Sequence, residues 1–271
     1  MKNIIILTSS EERHSFLKKI VSNNSNINTL RTYCEKNDDT TLSSIVKNEN
    51  KPKSFKSLHL CHREQTEIDF FQPFNDQIED NSNSVYIARK QINLKNHITE
   101  IINLNPDLII SFGCSIIKGK LLDVFKGRFI NVHLGLSPYY RGSGTNYWPM
   151  VYGKFEYLGA TFMHIDAGID TGKIIHQIRP KIFWGDSPSQ IGNRLITDVA
   201  YTFIKLISNF ESLLELEQLS DSADYNYYRQ KDYTNSSVNK LYQKFNQNLE
   251  LYLQNKKERL AKVPILENLG L

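Results

Sequence analysis

The sequence predicts an α/β fold, a mostly parallel sheet flanked by helices. Three observations carry that reading. Residues 3–7 (NIIIL) and 107–111 (DLIIS) are short apolar runs, the pattern of strands buried on both faces. Amphipathic helices are expected between and after such runs: 11–21 places Phe16, Leu17, Ile20 and Val21 on one face, and 189–210 makes a long helix. Third, 129–134 (FINVHL) has strand character and runs into a loop rich in Gly, Pro and Ser.

Taken in order, Thr8, Ser9 and Ser10 end the first strand and are placed to cap a helix beginning near Glu11. Strand, turn and helix together make a Rossmann-like opening. It lacks the glycines that let a phosphate approach a helix N-terminus. His14 is expected on the surface of that helix. Leu30 to Cys34 reads as a second strand, 36–53 as polar loop and helix, and 75–84 as an exposed loop. His59 and His62 lie in a helix or loop without a third ligand at metal spacing. Phe70, Phe71 and Phe74 suit a core or an interface. Ile98, Ile101, Ile102 and Leu104 mark an amphipathic helix within 93–104, and 121–125 a short one. Asp186, Ser187 and Pro188 start the long helix. Helical periodicity resumes at 238–253.

The candidate site sits where the strand at 129–134 ends. Side chains alternate along a strand, so Asn131 and His133 share one face and Val132 and Leu134 the other. In parallel α/β sheets, ligands bind beyond the carboxyl ends of strands. Asp170, in a loop flanked by glycines after the strand-like run 159–165, can return a carboxylate to this pair. The same Asn and His also suit a purely local hydrogen-bond arrangement.

The stretch NVHLGLSPYYRG, with GATFMHIDAGIDTG downstream, resembles the folate-dependent formyltransferases. That family includes the methionyl-tRNA, glycinamide ribonucleotide and sugar N-formyltransferases. Asn131, His133, Pro138, Arg141, Gly142, Gly159, Thr161, Asp170 and Gly172 stand at its motif positions, and 106–113 (PDLIISFG) resembles its preceding strand and loop. The resemblance implies a Rossmann-like formyltransferase fold with a catalytic domain at 1–210 and a short, mainly helical extension at 211–271. It implies N10-formyltetrahydrofolate as co-substrate and no metal. Asn131 and His133 would stabilise the charge on the formyl oxygen, and Asp170 would orient His133 and help to move the amine proton. Cys114, Ser115, Ile116, Ile117, Asp166, Ala167 and Asp170 would hold the folate ring. Tyr140, Arg141 and Asn146 would lie beside the acceptor, although Arg141 could equally tie its loop to backbone carbonyls. Asn146 and Thr145 could instead cap the helix that follows, through Trp148 to Tyr152.

Three clues point to a nucleotide-linked amino sugar as acceptor: the absent glycine loop, a tail of helix formers, and the AGIDTG loop. The expected role is cytoplasmic, in lipopolysaccharide or O-antigen precursor synthesis, and a homodimer is compatible with the family. The alternatives are another small amine, initiator methionyl-tRNA, or an inactive folate- or nucleotide-binding homologue. The tail tyrosines Tyr225, Tyr227, Tyr228 and Tyr233 could stack a base or pack the tail onto the core.

Composition narrows the classes. No apolar run approaches the roughly 20 residues that span a bilayer, and the start reads as a strand rather than a signal peptide. Three cysteines without metal spacing suggest free cytosolic thiols, Cys114 being a small buried hydrophobe. A net charge of +4 without a block of Lys or Arg argues against extended nucleic-acid binding.

Overall fold

A computed structural model of the protein describes residues 1–38, 53–218, 226–268 and 271. Its strands are β1 (Lys2–Ser9), β2 (Ile27–Lys36), β3 (Ser84–Ala88), β4 (Leu108–Phe112), β5 (Phe129–His133), β6 (Tyr140–Gly142), β7 (Ala160–His164), β8 (Ile174–Ile178) and β9 (Asn226–Tyr228). Seven of them form one sheet in the order β3-β2-β1-β4-β5-β7-β8, and β6 pairs with β9 apart from it. The first five strands of that sheet run parallel, while β5–β7 and β7–β8 are antiparallel. The mostly parallel sheet expected from the sequence is therefore present.

The apolar runs are strands because both faces are covered. Ile4 and Ile6 of β1, Leu108 and Ile110 of β4, and Ile130 and Val132 of β5 pack on α1 (Glu12–Ser22), α2 (Phe55–Asn75) and the long helix Pro188–Ser208. Ile5, Leu7, Ile109 and Phe129 face α3 (Lys95–Leu104) and α4 (Lys120–Val124). After α5 (Tyr147–Val151), that long helix is α6. Ser187 caps it by accepting from the Gln190 N–H, and Pro188 occupies its first turn. Among the described residues, no helix is long and apolar enough to cross a membrane.

Several elements differ from the sequence reading. The second strand runs longer than Leu30–Cys34, and β3 follows where exposed loop is expected to end. It is short and half-buried at the sheet edge, so its residues carry little apolar signal. Residues 39–52, most of the expected polar loop and helix, lie outside the described residues. Helix α1 begins at Glu12 with Glu11 at its N-cap and no side-chain cap, because β1 continues to Ser9. Of the three phenylalanines near the end of α2, Phe71 is buried in the core while Phe74 is exposed.

His14 is not on the surface: it is 1% exposed. Its Nδ1 lies 2.9 Å from the Thr8 hydroxyl and its Nε2 3.2 Å from Glu11. The ring packs on Phe112 at 4.6 Å. Burial, then the charge of Arg13, push its pKa down to about 4, against the pull of Glu11 and Glu67. His59, 2.7 Å from the Tyr242 hydroxyl, is also pushed to about 4, by burial and then by Arg63 and His62. The fold thus refuses protons that the unfolded chain accepts below pH 6.5. Stability present above that pH is expected to fall as pH drops toward 4, by on the order of 3 kcal/mol for His14 alone. Urea unfolding from pH 7 to 4.5 checks this; a flat midpoint across that window contradicts it.

The segment after α6 returns to the core. Leu216 bridges Ile174, and helices α7 (Asn235–Gln254) and α8 (Lys256–Ala261) follow β9. Leu241, Phe245, Leu249 and Tyr252 of α7 pack against Tyr140, Trp148 and Phe155. The tail aromatics serve this packing. Tyr228 stacks on Trp148 at 4.3 Å, and Tyr233 lies 4.8 Å from Tyr147. Tyr227 stays half-exposed, and Tyr225 lies outside the described residues.

Candidate active site

The polar pair lies at the carboxyl end of β5, on the face opposite Val132. Asn131 pairs in register with Ser111 of β4. The Ser111 hydroxyl donates to Asn131 Oδ1 at 2.8 Å. That leaves the amide N–H₂ as the group Asn131 can offer to the cavity it lines.

The loop 165–173 folds back along β5. Asp170 takes a left-handed conformation (φ 55°) and brings Oδ1 to 3.3 Å from His133 Nδ1. Both side chains are largely buried, 14% and 8% exposed. The carboxylate's other oxygen accepts from the Gly142 N–H at 3.1 Å, and His133 Nε2–H donates to the Tyr140 carbonyl at 3.1 Å. Strand β6 therefore grips both ends of the pair through its backbone.

A cavity of about 160 Å³ opens beside them. Its walls come from Cys114–Ile117 on one side and Met163–Asp166 with Gly168–Gly172 on the other, with Ser111 and Asn131 between. Asp170 reaches the wall, whereas His133 stands behind it and is joined to the cavity through Asp170. A larger hollow, about 240 Å³, lies at the opposite ends of the strands beside Lys2, Asp107, Arg128 and Glu211. Its charged groups are spent on one another and on backbone. Lys2 pairs with Glu211, Asp107 accepts from the Asn3 N–H, and Arg128 donates to the Pro106 carbonyl.

Several side chains expected at the site do other work. Tyr140 is 2% exposed and packed in the tail core, so only its carbonyl reaches the site. Asn146 does not face an acceptor either, because its amide makes two hydrogen bonds with the Gly159 backbone, at 2.8 and 3.0 Å. It also gives no side-chain cap to α5, and Thr145 donates instead to the Leu134 carbonyl. Arg141 lies outside the cavity wall and donates to Gln218 Oε1 at 2.8 Å. Ala167 is exposed beyond the wall, and Asp166 folds its own loop by accepting from Gly168 N–H and Thr171.

In the Cys114–Ile117 stretch, Ser115 donates both its N–H (2.7 Å) and its hydroxyl (2.6 Å) to buried Glu35. The Ser115 N–H, expected to face the folate ring, is thus spent on Glu35. The Ile116 carbonyl accepts from Asn93, and the Ile117 side chain is buried in the core. Only Ile116 offers an exposed apolar surface there. Burial, with help from Glu35, pushes the Cys114 thiol up to about 12, which makes it a poor nucleophile. His164 and His176 hold structure, at Glu215 (2.9 Å) and at the Asn268 N–H (2.9 Å).

Glu35, Ser111 and Gln218 are the residues that the sequence reading missed. Glu35 comes from another strand and touches Ser115 across 80 positions of chain, a contact without a local signal. Ser111 could have been found from strand register alone.

An amide and a carboxylate at one cavity, with an imidazole behind the carboxylate, beyond the carboxyl ends of a parallel sheet, mark an α/β protein equipped for acyl-type proton and charge handling. The chain belongs to the formyl transferase family, whose model matches residues 2–207. It is similar to methionyl-tRNA formyltransferase of Citrifermentans bemidjiense, 44% identical over 31% of this chain and 27% of that protein. The enzyme of the same name from Blochmanniella pennsylvanica is 33% identical over 53% of this chain and 39% of its own. The matches therefore span about a quarter to two fifths of those curated relatives. Among solved structures, a 4-N formyltransferase from Francisella tularensis shares the fold, with a TM-score of 0.53 at 19% identity. That alignment covers 85% of this chain and 77% of the other.

Proposed function

We propose that this protein moves a formyl group from N10-formyltetrahydrofolate to the amine of a nucleotide-linked amino sugar. The observation that carries the transfer is the 3.3 Å His133–Asp170 pair set beside Asn131 at one cavity. The cavity suits a flat heterocycle. Met163, Ile165, Ile169 and Ile116 supply apolar walls, and loop backbone and Asp170 supply polar edges.

In the reaction, the amine nitrogen attacks the formyl carbon and a C–N bond forms. The carbonyl electron pair moves to oxygen, where the Asn131 N–H₂ stabilises it. Asp170, oriented by Gly142 N–H and paired with His133, takes the proton from the attacking amine. Collapse breaks the bond from the formyl carbon to N10, and that proton passes to N10. In this reading 1–210 forms the catalytic unit and 211–271 an extension packed against it, in a cytoplasmic enzyme of surface-polysaccharide precursor synthesis.

Strand β9 pairs with β6, the strand whose backbone grips the His133–Asp170 pair. A sugar N-formyltransferase from Shewanella also shares this fold, at 18% identity and a TM-score of 0.53 over 86% of this chain and 78% of the other. The curated relatives favour a second reading, initiator methionyl-tRNA. Incubation with the donor and a panel of dTDP- and UDP-linked amino sugars, glycinamide ribonucleotide and methionyl-tRNA separates the two. We expect a mass gain of one CO on an amino sugar and none on the tRNA; the reverse pattern overturns the assignment of the acceptor.

A further inference from the structure

We propose that Gln218 is a positioning residue for formyl transfer, through which the C-terminal segment sets the Asp170 carboxylate. Its side chain makes contacts on two loops. Gln218 Nε2 donates to the Asp170 carbonyl at 3.1 Å and to the Gly172 carbonyl at 2.7 Å, so it holds the backbone from the left-handed residue onward. Gln218 Oε1 accepts from Arg141 at 2.8 Å and so ties that turn to β6. Strand β6 is the element that grips the pair, with the Gly142 N–H on Asp170 and the Tyr140 carbonyl on His133.

Residues 226–228 also hold β6. In the parallel pairing of β6 with β9, Asn226 N–H donates to the Tyr139 carbonyl and Ser143 N–H to the Tyr228 carbonyl, both at 2.8 Å. The fit leaves no space: a Cβ at Gly142 would sit 2.2 Å from the Tyr228 carbonyl oxygen, and its φ of +89° already favours glycine. Residues on both sides of 219–225 thus converge on one carboxylate. A side-chain amide is required at Gln218, because two carbonyls need a donor and one guanidinium needs an acceptor.

This inference rests on the proposed role of Asp170, so the experiment includes Asp170→Asn as a reference. Gln218→Met removes both donor and acceptor. Gln218→Glu keeps the acceptor for Arg141 but turns a carboxylate oxygen toward two carbonyls. Formyl transfer from N10-formyltetrahydrofolate is measured on the amino-sugar panel, normalised to the folded fraction by near-UV circular dichroism. We expect kcat to fall about tenfold to a hundredfold in both variants, the scale of a misplaced catalytic group, with KM for the donor unchanged. Gln218→Glu should be no better than Gln218→Met, whereas a mere tether to Arg141 would leave it active.

A readout independent of the acceptor is the His133 imidazole NMR signal. In Gln218→Met it should move toward its position in Asp170→Asn. Wild-type kcat per folded molecule, or a His133 signal unchanged from wild type, overturns the positioning role while an inactive Asp170→Asn leaves the proposed function standing. Full activity in Asp170→Asn overturns both.

Discussion

Asp170→Asn is expected to lower formyl-transfer turnover by about a thousandfold or more, roughly 4 kcal/mol of barrier, while the protein stays folded. The wild-type carboxylate accepts on one side from the Gly142 N–H and faces His133 Nδ1 on the other. An Asn side chain keeps the shape and can still accept from Gly142. It cannot take the amine proton, and its N–H₂ turns a donor toward the imidazole. Circular dichroism and the melting temperature should match wild type, because the substitution leaves the hydrophobic clusters untouched. Near-normal transfer by the folded variant would remove Asp170 from the chemistry.

Asn131→Ala comes second, with turnover reduced about a hundredfold to a thousandfold, the cost of losing one oxyanion donor. The change should appear in kcat more than in KM for the donor, because the amide matters when charge builds on oxygen. Ser111 supplies the control. Its hydroxyl fixes Asn131 Oδ1 at 2.8 Å, so Ser111→Ala should give a smaller loss in the same direction. Equal donor turnover by Asn131→Ala and wild type would mean that the oxyanion is held elsewhere.

The parts of the site legible in the sequence were those written in short-range periodicity. Asn131 and His133 share a face because strands alternate, and that holds whatever packs around them. The core strands declare themselves because burial on both faces demands unbroken apolar runs. Asp170 was a candidate from its glycine-flanked loop after a strand-like run, and the resemblance gave it its role. Tertiary partners were not legible. Tyr140 and Asn146 sit in a polar, glycine-rich loop that reads as ligand-facing, yet the tail helices bury one and Gly159 claims the other. His14 reads as a surface residue from its charged neighbours, and only the fold shows Phe112 and Thr8 enclosing it. Strand β9 has three residues and exists because β6 offers it an edge. Glu35 and Gln218 act on loops 80 and 48 positions away.

The most direct measurement is a crystal structure of the protein with 5-formyltetrahydrofolate, a donor analogue that does not transfer its group. The account predicts the pterin ring between Ile116 and the 165–172 loop, with N10 reaching toward Asn131 and Asp170, within about one hydrogen-bond length or one bridging water. A folate seated in the hollow beside Lys2 and Arg128, or one whose N10 points away from Asn131 and Asp170, would contradict it.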